Sequence, residues 1–335
     1  MSQLNLQGPV QQKSGIARAL GGLAGFREGT TILIILILGA VMAFLSPVFL
    51  TGENFSTMFK IFVINGWVVI AMTLVLISGG IDLSVAAVMA FVGVVAGQLF
   101  LVYHWNIWIA SLAGIGVGVF VGFVNGFFIT RVGLSPFIVT LAMSQIARGT
   151  AYVFSEAMPL PLNDVPASFK FIGRGIIGHT GVQFVIVLFI VVAILFDFLA
   201  RRSTILRKVY YIGSNEKSAR FSGINVNRVR MGVYVLSGLL AAIAGILAIA
   251  RFSSAPPYGY QGVELDAISA AVIGGTSMNG GEGTVLGAVL GIVLLALIQT
   301  AINLLGVSPY WSNFVTGAIL LVAVSVDFLT HRKRA

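Results

Sequence analysis

Long apolar runs, separated by short polar breaks, recur from about Thr30 to Phe328. Most approach the roughly 20 residues that an apolar helix needs to cross a bilayer. None shows the alternation over about 10 residues that marks a transmembrane barrel strand. The runs predict spans over 30–49, 60–78, 83–103, 106–130, 136–155, 183–200, 231–252, 265–275, 284–305 and 310–328. The expected fold is an all-α membrane protein, a polytopic bundle of about ten transmembrane helices with some broken or short ones. Residues 1–29 form a polar N-terminal tail, 30–328 the transmembrane domain and 329–335 a C-terminal tail. Within the domain, 156–182 reads as a long loop and 201–230 as the most polar segment.

Composition sharpens this picture. Of 335 residues, 9% are charged, against about 25% in soluble domains. So few charges cannot build a water-facing surface, and the bilayer must be the solvent. The formal net charge is +9. In a soluble protein that excess would suggest nucleic acid; here it marks cytoplasmic loops. With the tail (Lys13, Arg18, Arg27) inside, Arg131, the segment 201–230 and Arg332, Lys333 and Arg334 also fall inside. Loops 50–59 and 156–182 fall outside, and both termini are expected to be cytoplasmic. The first run lacks a small-residue cleavage site and reads as a retained anchor rather than a signal peptide. The expected surroundings are membrane lipid, with no nucleic-acid partner.

Glycine is patterned too. Gly114, Gly118, Gly122 and Gly126 repeat every fourth residue, as do Gly283, Gly287 and Gly291, and Gly93 with Gly97. Small residues at this spacing let helix backbones approach within a membrane, so these rows predict close helix contacts.

The stretch LVLISGGIDLSV, residues 74–85, raises the main question about chemistry. Between Lys60 and Arg131 the only formal charge is Asp82. A carboxylate at the bilayer centre costs about 2.5–3.5 kcal/mol on insertion scales. Ser78, Gly79 and Gly80 predict a helix break, and Asp82 then reads as the cap of the next helix. The cap stands alone or also lines a solute path, since irregular backbone at membrane depth usually faces a cavity. The loop GGTSMNGGEG, 274–283, is a second break, with Gly274, Gly275 and Thr276 at its start and Glu282 placed to cap the following helix. Glu264 and Asp266 likewise read as caps at the far end of span 8. Asn65, Trp67 and Asn125 are polar or amphipathic side chains within spans; they read as path lining, interhelical bonds or interface anchors. Ser84 belongs to the first break. Arg148 reads as a buried counter-ion or as a side chain that snorkels to a headgroup.

Catalytic chemistry is not expected. The chain contains no cysteine, which excludes thiol chemistry and disulfides. GRGIIGHT, 173–180, has glycine spacing like a phosphate loop, but His179 stands where the lysine is needed. His104, His179 and His331 lie in distant loops, so no metal site is expected. No catalytic residue, cofactor or metal is assigned.

Five stretches together resemble the membrane permease subunit of bacterial ABC sugar importers, the ribose-type branch. They are ISGGIDLSV (77–85), NGFFITRVGLSPFIVTLAMSQIARG (125–149), IGSNEKSARFSGINVNRVR (212–230), LSGLLAAIAGILAIAR (236–251) and GVELDAISAAVIGGTSMNGGEGTVLGA (262–288). Each is weak alone; in the family's order they cover almost the whole chain from span 1 onward. The resemblance implies a permease that pairs as a dimer, with a second copy or a sister permease. It implies a cytoplasmic ABC ATPase subunit and a periplasmic sugar-binding protein as partners. It places the ATPase contact on a coupling helix matching Gly213, Asn215, Ala219, Arg220, Gly223 and Ile224. The residues support this locally: Ser214-Asn215-Glu216 reads as a helix start and Gly223 as a stop. Ala86 and Ala142 stand where the family commonly has Gly, and Glu282 where many members have a basic or small residue; these departures bear on sub-branch and substrate. The function expected is ATP-driven uptake of a monosaccharide, not an enzymatic reaction on this chain. The alternatives are an ion-gradient-driven secondary transporter and an ABC permease for another solute, such as branched-chain amino acids. A membrane enzyme acting on lipid-linked substrates would need clustered catalytic groups at one interface, and none is present.

Overall fold

A computed structural model describes residues 28–178, 181–308 and 310–332. Lys13, Arg18, Arg27, His179, Lys333 and Arg334, which entered the charge and motif arguments, lie outside the described residues, as do the side chains of His331 and Arg332. Each predicted apolar run is helical over most of its length. The long elements are α1 (Gly29–Leu45), α2 (Gly52–Ile77), α3 (Val85–Leu101), α4 (Ile107–Phe127) and α5 (Pro136–Ser155). After the intervening segment come α6 (Ala167–Arg174), α7 (Phe184–Arg202), α8 (Thr204–Ser214), α9 (Glu216–Phe221) and α10 (Val226–Phe252). The chain closes with α11 (Val263–Ile273), α12 (Val285–Leu304) and α13 (Trp311–Arg332). Among the described residues, α4 with its π-helical extension Phe128–Val132, α5, α7, α10 and α12 are each long and apolar enough to cross a membrane. Helices α1 and α3 are shorter, and α11 has 11 residues, as short as the run at 265–275 that predicted it.

Local chemistry sets the helix ends. Asn106 and Thr284 accept hydrogen bonds from Trp108 N at 2.9 Å and Gly287 N at 3.0 Å, capping α4 and α12. Pro136 opens α5, where its missing N–H costs nothing. Two interruptions end in the same way. Gly79, at φ +77°, follows α2, and the amides of Gly79 and Gly80 return to Leu76 O and Val75 O. Gly275, at φ +89°, follows α11, and the amides of Gly275 and Thr276 return to Val272 O and Ala271 O. Both are Schellman ends, in which a left-handed glycine satisfies the last carbonyls of a helix.

Helices α2 and α10 form the centre. Helix α10 packs along α4, α3 and α2, while α2 also meets α11 and α12. The glycine rows lie in these contacts. A Cβ on Gly118 would strike Gly238 O, and one on Gly122 would strike Tyr234 O, so α4 lies backbone to backbone on α10. Gly287 and Gly291 face Gly274 O and Ala270 O in the α11–α12 contact. Gly93 meets Ile249, and Gly97 meets Leu160 and Ala255.

The stretch 156–182 is not simply a loop. Leu160–Pro161 (β1) pairs antiparallel with Ser254–Ala255 (β2), just beyond α10. Helix α6 then packs on α10 with Phe169 fully buried and Gly173 against the backbone of Ala250 and Arg251. A buried face of two or three residues is too short to register as a periodic run, which is why hydropathy passes over it.

Gly122→Leu is expected to separate α4 from α10. Overpacked cores lose about 1–3 kcal/mol, so thermal unfolding in detergent is expected at a lower temperature. Gly116→Ala, at a position with open space beside it, is expected to leave the transition unchanged.

Candidate functional site

The first break encloses a buried polar cluster. Asp82 is 1% exposed. Its Oδ1 accepts Ser84 N–H at 3.0 Å and Ser84 Oγ–H at 2.5 Å, and its Oδ2 accepts Ser237 Oγ–H from α10 at 2.7 Å. Asn125 of α4 donates its amide to Ser84 Oγ at 2.9 Å. Nearby, Ile81 O accepts Tyr234 O–H at 3.3 Å. This changes the expected role of Asp82. The N-cap position of α3 is Ser84, whose side chain makes no cap bond. Asp82 stands two residues earlier and bonds the cap residue together with the middle of α10. A carboxylate with three donors retains favourable partners away from water, where an unpaired charge would be expelled.

The polar segment is equally ordered. Asn215 ends α8 and caps α9, accepting Ser218 N–H at 2.9 Å. Gly223, at φ +79°, stops α9 through bonds from Gly223 N to Arg220 O and from Ile224 N to Ala219 O. Ala219 is buried. Glu216 pairs with Arg220 at 2.7 Å and with Arg230, on the first turns of α10, at 2.8 Å. Those hydrogen bonds, Arg220 first, hold the Glu216 carboxyl below its ordinary value. Arg220 is therefore engaged within the protein, and α9 is braced against α10. A cleft of about 450 Å³ runs beside α9, lined by Tyr211, Ser214, Ser218, Ser222 and Ile224 among others. Phe221, at the end of α9, is 92% exposed. The sequence reading missed it, although an aromatic residue in the most polar segment was a visible signal.

The two breaks and this segment meet. Gly281 donates its amide to Ile77 O at 2.8 Å. Gly213, grouped by resemblance with the ATPase contact, lies in the last turn of α8 rather than on α9 and packs against Ile77 O and Gly281 N, and Gly280 lies against Gly79. Gly274 packs on Gly287. The buried hydroxyl of Thr276 faces Gly283. The cap of α12 is Thr284 rather than the expected Glu282, whose backbone carbonyl instead accepts Ser277 N–H at 3.0 Å.

Other candidates lie elsewhere. Asn65 is half-buried and Trp67 buried within α2, and neither joins the Asp82 cluster. Among the described residues Arg148 makes no direct ion pair, although the charge of Glu264 acts on it from nearby. Its guanidinium donates to Pro257 O at 2.8 Å and Gly259 O at 2.7 Å, fastening α5 to the turn after β2. Gly262, without a side-chain cap bond, precedes α11, so Glu264 and Asp266 lie in its first turn and do not cap it. Among the described residues no group of three His, Cys, Asp or Glu side chains is arranged to hold a metal.

Comparison with known proteins adds a family. The family described as "Branched-chain amino acid transport system / permease component" matches residues 51–324. The ribose import permease protein RbsC of Escherichia coli (strain K12) is 35% identical over 304 residues, covering 91% of this chain and 94% of that protein. The L-arabinose ABC transporter permease protein AraH of Azospirillum brasilense is 34% identical over 320 residues, covering 95% and 93%. The fructose import permease protein FrcC of Rhizobium meliloti is 32% identical over 300 residues, covering 88% and 83%.

Ser237→Ala removes one donor from the buried carboxylate. Hydrogen bonds to charged groups are worth about 1.5–3 kcal/mol, and a loss of that size is expected in detergent unfolding. Ser269→Ala, whose hydroxyl bonds only Leu265 O in its own helix, is expected to cost less.

Proposed function

Since this chain belongs to the family of branched-chain amino acid transport system permease components, it is a transport subunit of the membrane, and we propose that it carries a monosaccharide inward within an ATP-binding-cassette importer. The sugar class is supported by relatives named for ribose, arabinose and fructose import. The observation that carries the mechanism is α9: a short, capped, ion-paired helix that presents Phe221 outside the bundle. An exposed aromatic residue on a rigid support is the usual anchor of a protein contact. In this reading α9 is the coupling helix and an ABC ATPase subunit covers Phe221. Segment 201–230 and both termini face the cytoplasm. A sugar-loaded binding protein docks at the opposite end, on residues 50–59 and 156–182, and about ten helical segments make the transmembrane unit.

The solute path belongs on α5 rather than inside the bundle. Among the five long spans, α5 is both the least buried and the least apolar. A helix so little buried and facing lipid should be strongly apolar, as α7 is. The free face of α5 carries Ala142, Gln145 and Gly149, and a carboxamide in hydrocarbon costs free energy that water or a sugar hydroxyl would relieve. A second copy of the chain, facing this surface across water, completes the path. Asn125 then belongs to the break, and Asn65 and Trp67 to the packing of α2.

The family description leaves branched-chain amino acids as the second reading. A secondary transporter is less well supported, because Asp82 is fully engaged in a packed break rather than open to an ion.

Uptake in proteoliposomes with enclosed ATP tests the function. Labelled ribose, arabinose, fructose and leucine are screened with the ATPase and binding protein added or omitted. Sugar uptake that needs ATP and both partners is expected. Leucine uptake would replace the substrate class, and uptake by the chain alone on an ion gradient would refute the importer reading. Phe221→Ala is expected to weaken ATPase association by at least tenfold, corresponding to about 1.4 kcal/mol. Because the chain has no cysteine, single introduced thiols report the path. Gln145→Cys is expected to react with a membrane-impermeant thiol reagent, and Ile194→Cys on the exposed face of α7 is not; equal reactivity would move the path elsewhere.

A further inference from the structure

Three glycine-containing segments, distant in the chain, meet at one point, and we propose that this point is a joint through which α9 moves both helix breaks together, with Gly213 and Tyr210 as its positioning residues. The proposal rests on the reading of α9 as the ATPase contact.

The geometry starts with an orphan. The last carbonyls of a helix lack partners within it, and Ile77 O, at the end of α2, is such a group. It is satisfied across the bundle by the amide of Gly281, at 2.8 Å. That bond joins the first break to the second. Gly213, in the last turn of α8, lies directly on it: a Cβ there would meet both Ile77 O and Gly281 N. The following residue, Ser214, lies against Gly281, and Gly280 lies against both Gly79 and Gly213 O. Tyr210, one turn earlier in α8, donates its hydroxyl to Gly283 O at 3.2 Å. Apart from the Tyr210 hydroxyl and Ser214 Cβ, the three segments of this joint approach through backbone atoms.

That composition matters for motion. Side chains absorb a displacement by changing rotamer, whereas backbone in direct contact passes it on. Asn215 is at once the end of α8 and the cap of α9, so one residue separates the joint from the helix that carries Phe221. On the other side, Gly80 abuts Tyr234 of α10, and the chain then runs to Asp82 and Ser84. A tilt of α9 therefore reaches the α2–α3 break through Ile77, and the α11–α12 break through Gly280, Gly281 and Gly283.

The glycines of the joint differ in what they test. Gly79, Gly280 and Gly281 have positive φ, so replacing them strains the backbone as well as the contact. Gly213 does not, but a methyl group there would run into the backbone of Ile77 and Gly281, so Gly213→Ala forces the joint apart. Tyr210→Phe removes only the hydroxyl and keeps the ring.

The test uses the assembled permease, ATPase and binding protein in proteoliposomes. Three quantities are read: ATPase co-purified with the permease, ATP hydrolysed, and sugar taken up. Both variants are expected to keep ATPase association and continued hydrolysis. Sugar carried per ATP is expected to fall by about tenfold in Gly213→Ala and by less in Tyr210→Phe. A merely structural role would lower association and uptake together, and that outcome overturns the proposal. Unchanged sugar per ATP in both variants overturns it as well, while leaving the importer reading intact. A wild-type chain that never associates with the ATPase refutes that reading, and the joint's role falls with it.

Discussion

A helix that stops inside a packed bundle leaves carbonyls that only the protein can satisfy. Much of this architecture follows from meeting that demand twice. After α2 and after α11, a left-handed glycine turns the chain so that its next amides return to the helix end. What remains, the carbonyl of Ile77, is met by Gly281 of the other interruption. Solving one chemical problem thus places the two interruptions side by side. It also fixes the segment 210–214, which must fit against them.

Asp82 poses the same problem for a side chain. The cost of a carboxylate in an apolar interior is offset by three donors, from Ser84 and Ser237. Through Ser237 the group also holds α10 to the start of α3, and through Ser84 it reaches Asn125 of α4. The charge therefore organises three helices around the break. The acidic group beside the Gly-Gly pair in the sequence is accounted for by this convergence.

Features with local causes were legible in the residues. The breaks at Gly79-Gly80 and Gly274-Gly275, the start of α9 at Asn215 and its stop at Gly223 follow from backbone preferences within a few positions. The glycine rows were legible because helix geometry puts every fourth residue on one face. Features made across the chain were not. Ser237 lies 155 residues from Asp82, and Arg148 meets carbonyls more than 100 residues away. Nothing local announces either pairing. The same holds for the joint: Gly213 was singled out and the two breaks were recognised, but the meeting of Gly213 with Ile77 and Gly281 depends on how α8 folds back. The cap expected at Glu282 is made by Thr284, nearer the helix, and Asp82 bonds the residue at the α3 N-cap and Ser237 of α10 rather than the first turn of α3.

The seam between α4 and α10 has a consequence for how such a protein can diversify. Where Gly118 and Gly122 face Gly238 and Tyr234, no volume is held in reserve, and substitutions there are paid in lost folding rather than in altered preference. The free faces of the outer helices carry no such restriction. A lineage adapting to a new solute would therefore leave its interior seam unaltered and rewrite its periphery. Two such proteins can then differ in cargo while their glycine positions stay superimposable.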